Sequence, residues 1–240
     1  MSNTKFVKIT INGKPVTTPD SATVLDAIES TGEKVPVICL HPGTTPEGIC
    51  RQCVVEVEGW RTLAPSCVTK VSEGMVIHTK SERVIQARRT ILEMLNATID
   101  LSQAPEIISQ MKAYNANPNR FPGADNRTQE ILDDNPFYLR DYQKCIMCWR
   151  CVQACGNDMQ FTYALSLGGR GFKSRITTFF ENPMPETTCV FCGNCVAVCP
   201  TKALIDKTEY FLEKGMDYDQ IRLQNRNPWQ EMQNKGDAND

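Results

Sequence analysis

In the opening stretch, KFVKITINGKPV, apolar side chains occupy every second position at Val7, Ile9 and Ile11 and then give way to Asn-Gly. That is the pattern of a half-buried strand entering a two-residue hairpin turn. The period changes in SATVLDAIESTG, where Val24, Leu25 and Ile28 share one helical face, Ser21 or Thr23 stands as N-cap, and Gly32 marks the stop. Period two returns in VVEVEGWRTL, read as strand, turn and strand, and in MVIHT, read as a further strand. A hairpin, a helix and returning strands predict a β-grasp layout. Helical spacing follows in RVIQARRTILEML, with Val84, Ile91, Leu92 and Leu95 near one face, and in APEIISQMKAY, with Pro105 in its first turn. Further on, FTYALSL and SRITTFF predict a hairpin around the glycine-rich GGRG at 168–171.

The chain has 240 residues, 41% of them hydrophobic, enough for two or three small domains but not one large core. A net charge of -2 supplies no basic field for nucleic acid, and no stretch reaches the roughly 18 apolar residues of a membrane span. The start, MSNTKFVKIT, has no apolar run behind it, so no secretory signal is expected and the predicted location is cytoplasmic. Twelve cysteines in a reducing compartment point to metal rather than disulfides.

The cysteines fall into three groups of four: Cys39, Cys50, Cys53 and Cys67; Cys145, Cys148, Cys151 and Cys155; and Cys189, Cys192, Cys195 and Cys199. Each cysteine of the third group lies 44 residues after its counterpart in the second, so KCIMCWRCVQACG and TCVFCGNCVAVCP are an internal duplication in register. The shared spacing is C-x2-C-x2-C-x3-C. Three thiolates stepped by three residues can wrap three corners of an iron-sulfur cube, and the cysteine after the longer gap, expected to open a helix pointing away, serves the neighbouring cluster. On that rule Cys145, Cys148, Cys151 and Cys199 hold one [4Fe-4S] cluster, and Cys189, Cys192, Cys195 and Cys155 the other. The competing chemistry is structural zinc, but four-cysteine zinc sites are gripped by two C-x2-C pairs set a dozen or more residues apart, and a third cysteine at the same step is surplus for one ion.

Within these loops, Gly156 replaces the proline that follows the last cysteine of the second group, either to relieve crowding or to bring an N–H close to sulfur. Trp149 and Phe191 stand at non-equivalent positions and either shield a cluster or fill the core.

The first group has the spacing C-x10-C-x2-C-x13-C. It keeps the inner C-x2-C of plant-type [2Fe-2S] ferredoxins and lengthens the first gap, so Cys39, Cys50, Cys53 and Cys67 are the expected ligands of a [2Fe-2S] cluster. His41, two residues after Cys39, is expected to be a loop histidine with no ligand role. No G-x-G-x-x-G after a strand and no phosphate-binding loop is present.

The cysteine loop together with LAPSCVTKVSEGM, KCIMCWRCVQAC and ETTCVFCGNCVAVCPTKAL resembles the N-terminal iron-sulfur region of the complex I large subunit and the small iron-sulfur subunit of NAD-reducing hydrogenases. It is similar as well to the opening of iron-only hydrogenases and of NAD-linked formate dehydrogenases. The resemblance covers about residues 5 to 205. It implies an electron-transfer subunit, without a substrate site of its own, that relays single electrons between a flavoprotein handling NAD(P)H and a second redox subunit. FMN or FAD and NAD(P) would be carried by those partners, and ferredoxin is a further candidate partner. Flavin-based electron bifurcation is a further function the resemblance allows, with the bifurcating site in a partner. The rival class is a free-standing ferredoxin-type shuttle.

One departure from the family stands out. Many relatives carry an additional cluster held by one histidine and three cysteines, whereas ILEMLNATIDLSQAPEIISQMKAYNANPNRF contains neither residue type. That cluster is expected to be missing. The predicted organisation is therefore α+β: a [2Fe-2S] ferredoxin-like β-grasp domain over 1–80, a helical linker region without cluster ligands over 81–135, a two-[4Fe-4S] ferredoxin domain over 136–206, and a partner-docking or disordered tail over 207–240. In that tail Tyr210, Phe211, Ile221, Leu223 and Trp229 are candidates for docking on a partner or for packing a helix.

Overall fold

The computed structural model describes residues 5–224. It divides into two compact units, one running to Asp125 and the other starting at Asn126.

The first unit grows from the alternating strand. β1 (Phe6–Ile11) buries Val7, Ile9 and Ile11 and turns through Asn12 and Gly13 into β2 (Lys14–Pro19). Both turn residues have positive φ, 48° and 80°, which is why Asn-Gly suits a tight hairpin. α1 (Val24–Ser30) is capped by Thr23, whose hydroxyl accepts from the Asp26 N–H while the Asp26 carboxylate accepts from the Thr23 N–H. Gly32, just past its end, takes φ 81°.

β3 (Val54–Val57), β4 (Ala64–Pro65) and β5 (Val76–His78) complete a five-stranded sheet in the order β2-β1-β5-β3-β4, with β1 and β5 parallel and the other pairs antiparallel. The apolar face of α1 packs with the inward side chains of β1, β3 and β5 in one core. This is the β-grasp arrangement expected from the pattern.

α2 (Glu82–Thr98) and α3 (Pro105–Ala113) belong to this same unit. α2 does bury Val84 and Leu92, but Ile91 and Leu95 are only half-buried, and the stripe is completed by Arg88 and Glu93, each 2% exposed. The Arg88 guanidinium donates to the carbonyls of Val54 (2.7 Å) and Thr79 (3.2 Å) and to the Tyr114 hydroxyl (2.9 Å). Glu93 accepts from the Asn117 N–H at 2.9 Å and pairs with Arg120 at 3.2 Å. The helix is thus fastened to the sheet and to the chain after α3 by buried polar contacts that an apolar-period reading passes over.

The second unit carries the duplication. Its elements are β6 (Tyr138–Arg140), α4 (Arg150–Cys155), β7 (Ser166–Gly168), β8 (Arg175–Thr177), α5 (Asn194–Ala197) and β9 (Leu204–Asp206), with α5 starting 44 residues after α4. β6 pairs antiparallel with β9, the first strand with the last, and β7 with β8 in the hairpin between the halves. The β7–β8 hairpin is the one expected around GGRG. A side chain at Gly169, where φ is 73°, would meet the Lys173 carbonyl oxygen at 2.6 Å, so the turn needs glycine there.

Asn135 fixes the entry to β6, its side-chain Oδ1 accepting from the N–H groups of Phe137 and Tyr138. α6 (Lys207–Glu213) follows β9 and is capped by Asp206. Of the tail residues, Ile221 is 3% exposed and belongs to the interior rather than to a docking face, Tyr210 and Phe211 are half-buried and stacked edge to face, and Leu223 is exposed. Trp229 lies outside the described residues. Among the described residues no helix is long and apolar enough to cross a membrane.

Candidate iron-sulfur centres

In the first unit the loop between α1 and β3 carries Cys39, Cys50 and Cys53, and Cys67 follows β4. The structure brings the four together. The Cys39 N–H points at the Cys50 sulfur at 3.4 Å, and the sulfurs of Cys53 and Cys67 lie 3.4 Å apart. Hydrogen bonding with Cys39 pulls the Cys50 thiol down to about 6 and hydrogen bonding with Cys67 pulls Cys53 down to about 7, while the same pairings, with burial, push Cys39 and Cys67 up. Four sulfurs gathered in this way are a donor set for soft metal. His41 uses Nδ1 to accept from the Gly43 N–H at 3.1 Å and serves the loop turn.

In the second unit both cysteine loops are wound the same way. Met147 and its counterpart Phe191 take φ of 56° and 54°, and Trp149 and its counterpart Gly193 take 67° and 81°. These left-handed residues turn successive N–H groups inward, as in an anion-binding nest. The Met147 N–H reaches the Cys145 sulfur and the Phe191 N–H the Cys189 sulfur, each at 3.4 Å. A bulky side chain with positive φ is uncommon. Three of the four positions accept it, which shows how strongly the loop is constrained.

Cys145, Cys148 and Cys151 of the first loop line one cavity together with Cys199 of the second, and Tyr142 and Trp149 form part of its wall. Burial pushes Cys148 up to about 12 and Cys145 and Cys151 upward too, and the nearby Cys199 sulfur adds to each. The reciprocal set behaves alike: burial, then Cys155 and the other loop cysteines, push Cys195 up to about 12 and raise Cys189. So many buried thiols cannot ionise side by side without positive charge among them, and an iron-sulfur cluster is a group that supplies it. Three cysteines of one loop and one of the other around a single cavity are a donor set that fits a cluster.

Two sequence expectations change in detail. Cys155 closes α4 instead of opening a helix, and Cys199 follows the end of α5. Each of these cysteines is delivered at the C-terminal end of a short helix that starts inside its own loop. The Gly156 N–H is spent on the carbonyls of Val152 and Gln153, and a side chain there would meet the Val152 oxygen at 3.1 Å and the Tyr163 ring at 3.3 Å. Glycine thus relieves crowding. The Cys155 sulfur accepts instead from the Ala164 N–H at 3.2 Å.

Trp149 walls the first cavity, and Phe191 packs on Phe137 with ring centres 5.2 Å apart. The two sets also differ in access, since Cys148 is partly covered while its counterpart Cys192 is exposed. Tyr142 and Arg140, each 2% exposed, were not singled out by the motif reading. The only sequence signal for Tyr142 is its place three residues before Cys145, with Glu186 at the duplicated position.

The fold and these centres define an iron-sulfur protein of two parts: residues 4–82 match the 2Fe-2S iron-sulfur cluster binding domain and residues 144–203 the 4Fe-4S dicluster domain. The chain is 37% identical over 225 residues to NADP-reducing hydrogenase subunit HndD of Solidesulfovibrio fructosivorans, covering 87% of this chain and 37% of that protein. It is 33% identical over 208 residues to NADPH-Fe(3+) oxidoreductase subunit alpha of Geobacter sulfurreducens, covering 84% of this chain and 24% of that one. The chain thus spans well under half the length of these curated relatives. Among solved structures it is similar to a chain of an NAD+-reducing [NiFe]-hydrogenase, with a TM-score of 0.74, 28% identity, and coverage of 84% of this chain and 87% of that one.

Proposed function

We propose that this chain is a cytoplasmic electron-transfer subunit that relays single electrons between a flavoprotein handling NAD(P)H and a second redox subunit. Cys39, Cys50, Cys53 and Cys67 hold a [2Fe-2S] cluster. Cys145, Cys148, Cys151 and Cys199 hold one [4Fe-4S] cluster, and Cys189, Cys192, Cys195 and Cys155 the other. The observation that carries this reading is the crossing of the duplicated loops, which puts Cys199 in the wall of the first loop's cavity and Cys155 beside Cys189 and Cys195.

When bound, the clusters supply one-electron redox chemistry. The polypeptide holds them in place, aims the N–H groups of Met147 and Phe191 at cysteine sulfur, and keeps water from the first centre with Trp149 and the surrounding apolar wall. The names of the relatives, which join NAD(P)H chemistry to hydrogen or ferric iron, support the NAD(P)-linked setting.

The test is purification from the native cell without oxygen. The account predicts a complex with a flavoprotein, and NAD(P)H bleaching the iron-sulfur absorbance only while that flavoprotein is present. Recovery as a lone monomer that ferredoxin-type donors reduce equally well would make it a free shuttle.

A further inference from the structure

Tyr142 sits on the short turn between β6 and the first cysteine loop and is 2% exposed. Its hydroxyl is buried and, among the described residues, no group accepts its hydrogen. An O–H left this way loses its bonds to water and gains nothing in exchange, so native interiors seldom keep one. The same side chain lines the cavity shared by Cys145, Cys148, Cys151 and Cys199.

Behind it lies the Arg140 guanidinium, also buried, with Nη2 held by Asp134. Arg140 opposes, by its charge and by a hydrogen bond to the hydroxyl, the upward push that burial gives its pKa. A guanidinium has donors and no acceptor, so the phenolic oxygen can only accept from that side. The hydroxyl hydrogen must then find its acceptor elsewhere, and the cavity this side chain lines is where sulfur is on offer.

The duplicated half has no equivalent: Glu186 stands 44 residues after Tyr142. Tyr138, whose hydroxyl is near the second set, already donates to the Phe191 carbonyl at 2.6 Å.

We propose that Tyr142 donates its hydroxyl hydrogen to sulfur of the centre held by Cys145, Cys148, Cys151 and Cys199, and so raises the reduction potential of that centre alone. The physical reason is that a donor to sulfur stabilises the reduced state, which carries the extra negative charge. This inference rests on the cluster assignment proposed above and makes Tyr142 a tuning residue rather than a ligand.

The experiment is a redox titration of the full chain prepared without oxygen, followed by electron paramagnetic resonance and paired with iron and sulfide analysis. Tyr142→Phe should keep about ten irons and move the midpoint of one four-iron centre to lower potential, leaving the other two centres where they were. Tyr142→3-fluorotyrosine keeps the ring and donates more strongly, so it should move the same midpoint upward. Should Tyr142→Phe lose iron, the fluorinated variant decides by itself. Full iron with midpoints unmoved in both variants, or shifts of the same sign, overturns the role of Tyr142 while leaving the cluster assignment intact. A wild-type chain that holds no iron overturns the assignment first, and the inference with it.

Discussion

The two units of this chain solve the problem of a small core differently. In the first, the interior is a sheet and a helix: Val7, Ile9, Ile11, Val55 and Ile77 pack on Leu25 and Ile28, with only Cys53 and Cys67 joining from the metal side. In the second, cysteines are spread through the interior, where Cys145, Cys151, Cys155 and Cys195 are buried and Cys189 and Cys199 pack against them, while each strand pair is only three residues long. The first unit is a fold that holds a centre. The second is a shell folded round its centres, since two-stranded sheets of this length are not stable alone. Cluster binding there is therefore expected to contribute to folding.

The largest effect should come from removing iron and sulfide. Hydrogen exchange on the apo chain is predicted to keep slow amides in β1, β5 and α1 and to lose protection throughout β6, α4, α5 and β9. Equal survival of both units would remove the distinction.

A sharper break is made with single cysteines. Because the loops cross, Cys199→Ser should disturb the same four-iron signal as Cys148→Ser, and Cys155→Ser the same signal as Cys192→Ser. If Cys199 instead pairs with Cys192, the crossing is wrong.

Within the first unit, Arg88→Met should cost about 3 kcal/mol, because the buried carbonyls of Val54 and Thr79 lose their donor. Urea unfolding of the holo protein measures this. Leu92→Ala, fully buried on the same helix, should cost about 2–4 kcal/mol. The smallest effect is Thr23→Ala, about 1 kcal/mol, from loss of the α1 cap. A loss of iron from the second unit in any of these three variants would mean that the units do not stand as separately as their cores suggest.

The hairpin, α1, the β-grasp layout and the duplicated cysteine loops were legible in the sequence because each rests on a local rule: period two with Asn-Gly, a Ser or Thr before an apolar helical face, a spacing repeated at an offset of 44 residues. What escaped was polar and long-range. Arg88 and Glu93 look like solvent residues on a helix and become its anchors only because Val54, Thr79, Asn117 and Arg120 are brought to them. Tyr142 belongs to no motif, and its hydroxyl hydrogen lacks an acceptor only once the chain has folded around it. The left-handed turns at Met147 and Trp149 were hidden for a related reason. In the second half a glycine marks one such turn at Gly193, while in the first half the cysteines impose the same turn on a tryptophan.

The central claim is that twelve thiols hold iron and sulfide as one two-iron and two four-iron centres, and its most direct test is metal and acid-labile sulfide analysis of chain purified without oxygen. The account predicts about ten irons and about ten sulfides per chain, with no stoichiometric zinc. A colourless protein carrying zinc and no sulfide would contradict it.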